Sequence, residues 1–266
     1  MSVPARPFSL NALLLTPARV RWCALQELWL YRSYWRLPEA RRAMRAERDA
    51  ELAETVPVLL LLALLVATLL FVLLPSTLGE QATGALALLW PVWVVQVAPL
   101  LCALLLALLN APGIALQLTE REAAGEFAGD PRTRSALAAR HCVPLIVAHT
   151  VVCVASLVLL VLLVLVLGLL AQAVLALGDV RASAAIVLTR VDPVHWLRAL
   201  FNAGVLGLAC VGVAVVYAWP GTQITQRGLD VHRLGLRAML LSAAASVAAA
   251  IAVNGLATLL GWSLPR

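Results

Sequence analysis

The 266-residue chain contains no lysine; all 20 of its basic residues are arginine. That excludes a Walker-A lysine, a Schiff-base lysine and a kinase-type catalytic lysine, so the chain by itself is no conventional P-loop ATPase. Charge of either sign is scarce, at 13% of residues against about a quarter in a typical soluble domain. Hydrophobic residues make up 62% and the mean hydropathy is +0.94, which leaves too little polar surface to coat a water-soluble globule. Paired cysteines are missing too. Cys23, Cys102, Cys142, Cys153 and Cys210 are odd in number and show no CxxC spacing, a pattern that reads as buried free thiols and not as a metal or disulfide site. Also lacking are HExxH, GxSxG and paired carboxylates within the apolar runs, so an intramembrane enzyme has no visible apparatus and no metal or cofactor is expected. The formal net charge of +6 does not point to nucleic acid, because the arginines cluster beside apolar runs.

What is present is Leu, Val and Ala in long, nearly unbroken stretches. These read as membrane-spanning helices and not as the alternating strands of an outer-membrane barrel. Five spans are expected: Val56–Leu74, Ala85–Leu118, Val143–Leu177, Leu200–Trp219 and Ala238–Trp262. The second contains Pro91, Pro99 and Pro112, so it should be kinked or broken, with its irregular backbone facing protein or a cavity. The third is overlong for a ~30 Å core and must tilt or project.

Residues 1–54 form a separate region with nine arginines and six acids. The apolar stretch Ala12–Leu15 is too short for a signal-peptide core. From Val20 to Leu37 the pattern is amphipathic, with Ala24, Leu28, Tyr31 and Trp35 on one stripe and Arg21, Arg32 and Arg36 on another. Trp22 and Trp29 border the two, as indoles do at a wet–apolar boundary. The expectation is a helix lying in the membrane interface, followed from Pro38 by a polar helical piece carrying Arg41, Arg42, Arg45 and Arg48. A soluble hairpin packed on a partner is the alternative. The remainder, 55–266, is the five-span domain, and the fold class is an all-α integral membrane protein.

Arginine asymmetry orients the spans. The N-terminal region, the 119–142 loop and the 220–237 loop carry nine, four and three, whereas 75–84, 178–199 and the C-terminus carry none, three and one. The N-terminus is therefore expected in the cytoplasm and the C-terminus in the periplasm, in a bacterial inner membrane.

All fourteen acids fall in loops or in the N-terminal region, which disfavours an ion-driven mechanism. His149, within the third span, reads as a helix-to-helix hydrogen-bonding residue. The apolar spans suit a greasy substrate, although the same residues could simply face lipid and one another. In the 119–142 loop, Thr119 and Glu122 have capping-box spacing and predict the start of a short helix; Asp130 and Pro131 then have the character of an N-cap and first helical position. Acids come first (Glu120, Glu122, Glu126) and arginines after (Arg132, Arg134, Arg140).

Several of these positions carry a family resemblance. Gly221 precedes Val231 by ten residues, and Arg233, Arg237, Ala238 and Ser242 follow. In the middle loop stand Glu126, Gly129, Asp130 and Pro131, then Pro144; Pro99 closes Val95-Gln96-Val97-Ala98-Pro99. From Glu54 to Trp262, about four-fifths of the chain, the sequence resembles the MlaE/YrbE family, permease subunits of ABC transporters that work with MCE-domain proteins in lipid trafficking. It departs from the family where Arg-Glu-Leu-Gly-Pro has lost both charges, where His232 replaces a glycine and where Leu145 replaces an arginine. The resemblance implies an MlaE-like permease that dimerises with a second copy or a homologous subunit. Its partners would be a cytoplasmic ABC ATPase, a periplasmic MCE-domain protein and membrane lipids, with ATP hydrolysis on the partner. It implies coupling to the ATPase through Glu122, Glu126, Asp130, Pro131, Arg132 and Arg134, and a motif loop at Gly221, Val231, Arg233 and Arg237. A lipid path past Gln96, Pro99 and Asn110 is expected along the proline-kinked second span. The alternatives are a membrane scaffold that assembles a complex through its N-terminal region, and an ABC permease for a non-lipid substrate.

Overall fold

The computed structural model describes residues 18–220 and 231–259. Ala12–Leu15, Gly221, Arg227 and the end of the fifth expected span with Trp262 lie outside them. Among the described residues all regular structure is helical. In chain order the helices are α1 (Ala18–Leu30), α2 (Pro38–Leu78) and α3 (Ala82–Ala123), α4 (Pro131–Leu175), α5 (Val180–Arg190), α6 (Pro193–Tyr217) and α7 (Val231–Leu259). Five of them, α2, α3, α4, α6 and α7, are long and apolar enough to cross a membrane, one for each expected span. This is a multi-pass, all-helical membrane protein.

Its helices overrun the expected spans, mainly at the arginine-rich end. The polar piece after Pro38 and the first span are one helix, so the division at 54/55 falls inside α2. At 45 residues, α4 is roughly 68 Å long at ~1.5 Å per residue, about twice a ~30 Å core. By contrast α1 stops at Leu30, short of Leu37. The Arg32 guanidinium turns back to donate to the Trp29 carbonyl at 2.9 Å, and Leu37, which precedes Pro38, is extended (φ −69, ψ 145) as the pyrrolidine ring requires.

Proline explains the irregular turns inside the spans. Two π-helical turns occur, Thr68–Leu73 and Trp93–Val97, and each ends two residues before a proline, Pro75 and Pro99. A proline lacks the N–H that would bond the carbonyl four residues back and pushes that carbonyl aside; widening the turn accommodates it. The carbonyls concerned, those of Phe71 and Val95, both lie inside the π turns. In the second case the freed group is taken by another helix, since Asn202 Nδ2 of α6 donates to the Val95 oxygen at 2.8 Å. The expected irregular backbone of the second span is thus present and faces protein. A further turn at Asn110 separates Ala98–Leu109 from Ala111–Ala123, just before Pro112.

The core divides in two. Toward the arginine-rich end, Ala24 of α1 joins Leu118, Phe127, Cys142, Val211, Tyr217, Trp219 and Ala238. Through the middle and far end run Leu59, Phe71, Trp90, Leu106, Leu157, Leu160 and Leu206. Contact between spans is set by small residues, because lipid tails are as apolar as leucine and only close packing favours association. A Cβ added to Gly168 of α4 would sit 2.3 Å from the Phe71 ring, so this glycine is what lets the π turn of α2 lie against α4. Phe71 in turn meets Trp90 edge-on at 6.1 Å, and Trp90 stacks on Trp93 at 5.2 Å. Leu61, Leu65, Leu88, Val166 and Ile251 stay exposed, as lipid-facing positions do. All five cysteines are unpaired, and all but Cys23 are buried.

Replacing Asn202 with Leu should cost about 1–2 kcal/mol of stability by orphaning the Val95 carbonyl. Adding Pro99→Ala should return most of it by restoring the missing N–H. Unfolding in mixed micelles gives both numbers, and losses that simply add would refute the rescue.

Candidate functional site

Beneath α1 the helices leave an apolar groove of about 710 Å³. Its roof is Leu25, Leu28 and Trp29 of α1; its walls are Val143, Ile146 and Val147 of α4 and Leu208, Gly212, Val213 and Val216 of α6, with Leu241 of α7 closing one side. The amphipathic stripe produces this arrangement. Ala24 is buried and Leu28 and Tyr31 are packed against the arginine-rich core, which holds α1 across α4 and α6, while Trp22 and Trp29 remain exposed. Polar groups stand only at the rim. Arg32 lies over the Trp29 ring at 4.3 Å, and the Tyr217 hydroxyl meets the Arg237 guanidinium. Arg140 stacks over Tyr31 at 5.4 Å, tying α1 to α4.

The α3–α4 connection is the second element. The spacing of Thr119 and Glu122 misleads here: Thr119 lies inside α3, its hydroxyl donating to the Ala115 carbonyl at 2.7 Å, and the helix ends at Ala123 instead of starting nearby. Thr119 follows a helical turn whose inner face, Ala115 and Leu118, is buried, so the helix has no reason to break. Gly125 (φ +78) and Gly129 (φ +129) make the turn with backbone angles that strain any residue with a Cβ. Between them Phe127 plugs into the core, and Arg121 bonds Glu126 at 2.9 Å. Asp130 and Pro131 open α4 as expected, Asp130 Oδ1 accepting from the Thr133 N–H at 3.2 Å. The Thr133 hydroxyl and, after it, this N–H hold the Asp130 carboxyl below its ordinary range. Of the expected coupling residues, Glu126 and Asp130 lie in this connection, Glu122 in the last turn of α3 and Pro131, Arg132 and Arg134 in the first turn of α4.

The expected lipid path fares differently. Pro99 and Asn110 are buried and Gln96 is half-buried, but Asn110 stands fourteen positions after Gln96, roughly 21 Å along the helix. None of the three lines the groove. Of the motif loop, Gly221 lies outside the described residues, Val231 begins α7, Arg233 is exposed and Arg237 stands at the groove rim beside Tyr217.

Neither a protein-family model nor a curated protein matches the chain. What it does must be read from its own residues.

One constellation escaped the sequence reading. Glu51, counted with the acids of the N-terminal region, is only 7% exposed, and its Oε1 lies 3.3 Å from Nδ1 of the fully buried His149. His149 does make a helix-to-helix contact, but with an acid. The signal was present at period four: Glu51, Thr55, Leu59, Ala63 and Ala67 all face the bundle, so the buried stripe of the first span extends one turn before its apolar stretch begins.

Because the folded Asp130 is held below the usual carboxylate value of about 3.8, its cap is fully present above that value and is lost as pH falls through the depressed one. Amide exchange at Arg132–Arg134 should accelerate in that acid window in the wild type. Asp130→Asn should keep the cap without the pH step, and Asp130→Ala should be frayed at every pH; a wild-type step unchanged in Asp130→Asn would assign it elsewhere.

Proposed function

We propose that the chain is the membrane-spanning permease subunit of an ABC transporter that moves phospholipid or a related lipid between the inner membrane and a periplasmic MCE-domain partner. The observation that carries this reading is the groove beneath α1. It is apolar throughout, long enough in its α6 wall to follow an acyl chain from Leu208 to Tyr217, and rimmed by arginines at the end where a headgroup would lie. A hydrated ion or sugar would lose its water there for nothing in return. An acyl chain exchanges one hydrocarbon environment for another at almost no net free energy, so it can enter and leave, as a carried substrate must, while Arg32 and Arg237 discriminate among headgroups by charge.

The work comes from ATP bound elsewhere. The α3–α4 connection supplies a rigid handle for a cytoplasmic ATPase: two glycine turns, a buried phenylalanine anchor and an ion pair fix its shape, and Glu126, Asp130 and Arg132 are exposed on its surface. Arginine asymmetry puts this connection, α1 and the start of α2 in the cytoplasm, with α5 on the periplasmic side. The resemblance to the MlaE/YrbE permeases supplies the MCE-domain partner and the second permease copy.

The test is photocrosslinking to a diazirine-bearing phospholipid in the complex purified in mild detergent, with mass spectrometry of co-purifying proteins. An ATPase and an MCE-domain protein should be recovered, and crosslinks should map to the groove. Gly212 lines the groove and an added Cβ there meets nothing within 4 Å, so Gly212→Phe directs its ring into the groove; crosslinking should fall about tenfold, the equivalent of ~1.4 kcal/mol. Arg32→Gln should weaken capture of anionic lipid more than of neutral lipid. Undiminished crosslinking in Gly212→Phe, or a complex with no ATPase, removes the proposal.

Coupling is tested separately. Glu126→Arg should abolish lipid-stimulated ATP hydrolysis, and Arg121→Glu with Glu126→Arg should restore part of it by re-forming the ion pair. The pair is exposed and worth at most about 1 kcal/mol of stability, so insertion and assembly should survive. Stimulation unaffected by the single reversal would take the handle away from this connection.

A further inference from the structure

We infer that Glu51 and His149 form a proton-binding site inside the bundle, open to the arginine-rich side. The inference is independent of what the chain transports.

The two side chains come from α2 and α4, the most extensively packed pair of helices, and contact each other through Oε1 and Nδ1 at 3.3 Å. Among the described residues His149 is the only ion-pair partner of Glu51: Arg48, on the same helix, is engaged with Asp49 at 2.7 Å, and the Thr55 hydroxyl bonds the Glu51 backbone carbonyl, not its carboxylate. A buried pair of one acid and one base is most stable with no net charge. One proton shared between an acid and an imidazole keeps such a pair neutral and belongs to the pair as a whole. Gaining a second proton leaves a buried cation, and losing the first leaves a buried anion.

A purely structural crosslink would use up its polar atoms. Here the remaining two, Glu51 Oε2 and His149 Nε2, are buried with no hydrogen-bond partner among the described residues. The surroundings are polar but neutral on the inner side, where Cys210 of α6 lies close enough to sense the Glu51 charge and stands beside Ser242 and Ser246 of α7. On the outer side the charges are Glu47 and Glu54 of α2 and Arg121 of α3, with Glu47 close enough to feel Glu51, Arg121 and Glu54; His141 of α4 faces Arg121 and Glu126 instead. Glu47, Arg121, Glu126 and His141 line a polar pocket of about 470 Å³ at the arginine-rich end. Glu47 is one turn, about 6 Å, from Glu51 along α2. A proton thus has titratable groups to pass along between that pocket and the buried pair.

The experiment is a pH titration of the full chain in lipid nanodiscs, followed by infrared difference spectroscopy for the carboxyl and by nitrogen-15 spectra of labelled histidine for the ring. A buried carboxyl band and the His149 ring should change together. Glu51→Gln, nearly isosteric, should remove that band and move the His149 midpoint by about one pH unit or more, a tenfold change in proton affinity; His149→Gln should move the carboxyl midpoint. Midpoints that ignore the partner substitution would overturn the site. Should the variants not fold, the wild-type spectra decide alone: a carboxyl band and a His149 ring that both stay unchanged over the whole pH range in which the chain stays folded equally overturn it.

Discussion

A span in hydrocarbon has no water to fall back on, so every backbone carbonyl must find its partner within the protein. The rest of this structure is organised around the places where proline breaks that rule. Pro75 and Pro99 each withhold an N–H, and each is preceded by a π-helical turn that spreads the loss over a wider ring. At Pro99 the remedy reaches across to α6, whose Asn202 satisfies Val95. At Pro75 the wide turn projects Phe71 into the space that Gly168 leaves free. Two residues that look unremarkable in a Leu/Val/Ala run, an asparagine and a glycine, thereby fix how α6 meets α3 and how α4 meets α2.

The spans themselves were legible because hydropathy reports directly on the solvent a helix sits in. Their ends were less so. A helix does not stop where its residues turn polar if the polar turns can project into water, and α2, α3 and α4 all continue well past the apolar boundary. The same effect misled at Thr119. Its capping-box spacing is real, but a cap operates only where the preceding residues are not already helical, and the buried face of Ala115 and Leu118 keeps them so. Asp130 could be read correctly because Gly129 ahead of it and Pro131 after it leave the chain no alternative to a helix start.

The candidate site was legible in part. The stripe of Ala24, Leu28 and Tyr31 foretold which face of α1 packs against the bundle, but nothing local could say that it would lie across α4 and α6 and enclose a groove. That depends on contacts more than a hundred residues apart in sequence. Glu51 was hidden for a different reason. Reading acids by region assigned it to the polar arm, whereas burial is decided by face: its position four residues before Thr55 and eight before Leu59 places it on the side that packs against α4. Gln96, Pro99 and Asn110 were singled out as polar or irregular residues in one span, yet the irregularity is resolved within the bundle and leaves them away from the groove.

α4 connects the three features that matter. Its first turn is the Asp130 cap at the end of the α3–α4 connection; three turns on, Arg140 stacks on Tyr31 and fastens α1; then Val143, Ile146 and Val147 form one wall of the groove; and His149 follows immediately, paired to α2. From Asp130 to His149 is roughly 28 Å at ~1.5 Å per residue, all within one continuous helix. A displacement applied at the connection is therefore delivered to the roof of the groove, to its wall and to the α2 contact by the same rigid body. The groove cannot widen on the α4 side without either dragging α1 along through Arg140 or loosening the pair of Glu51 and His149. Both contacts are polar, and the pair of Glu51 and His149 is buried, where a change of charge weighs far more than a change of shape.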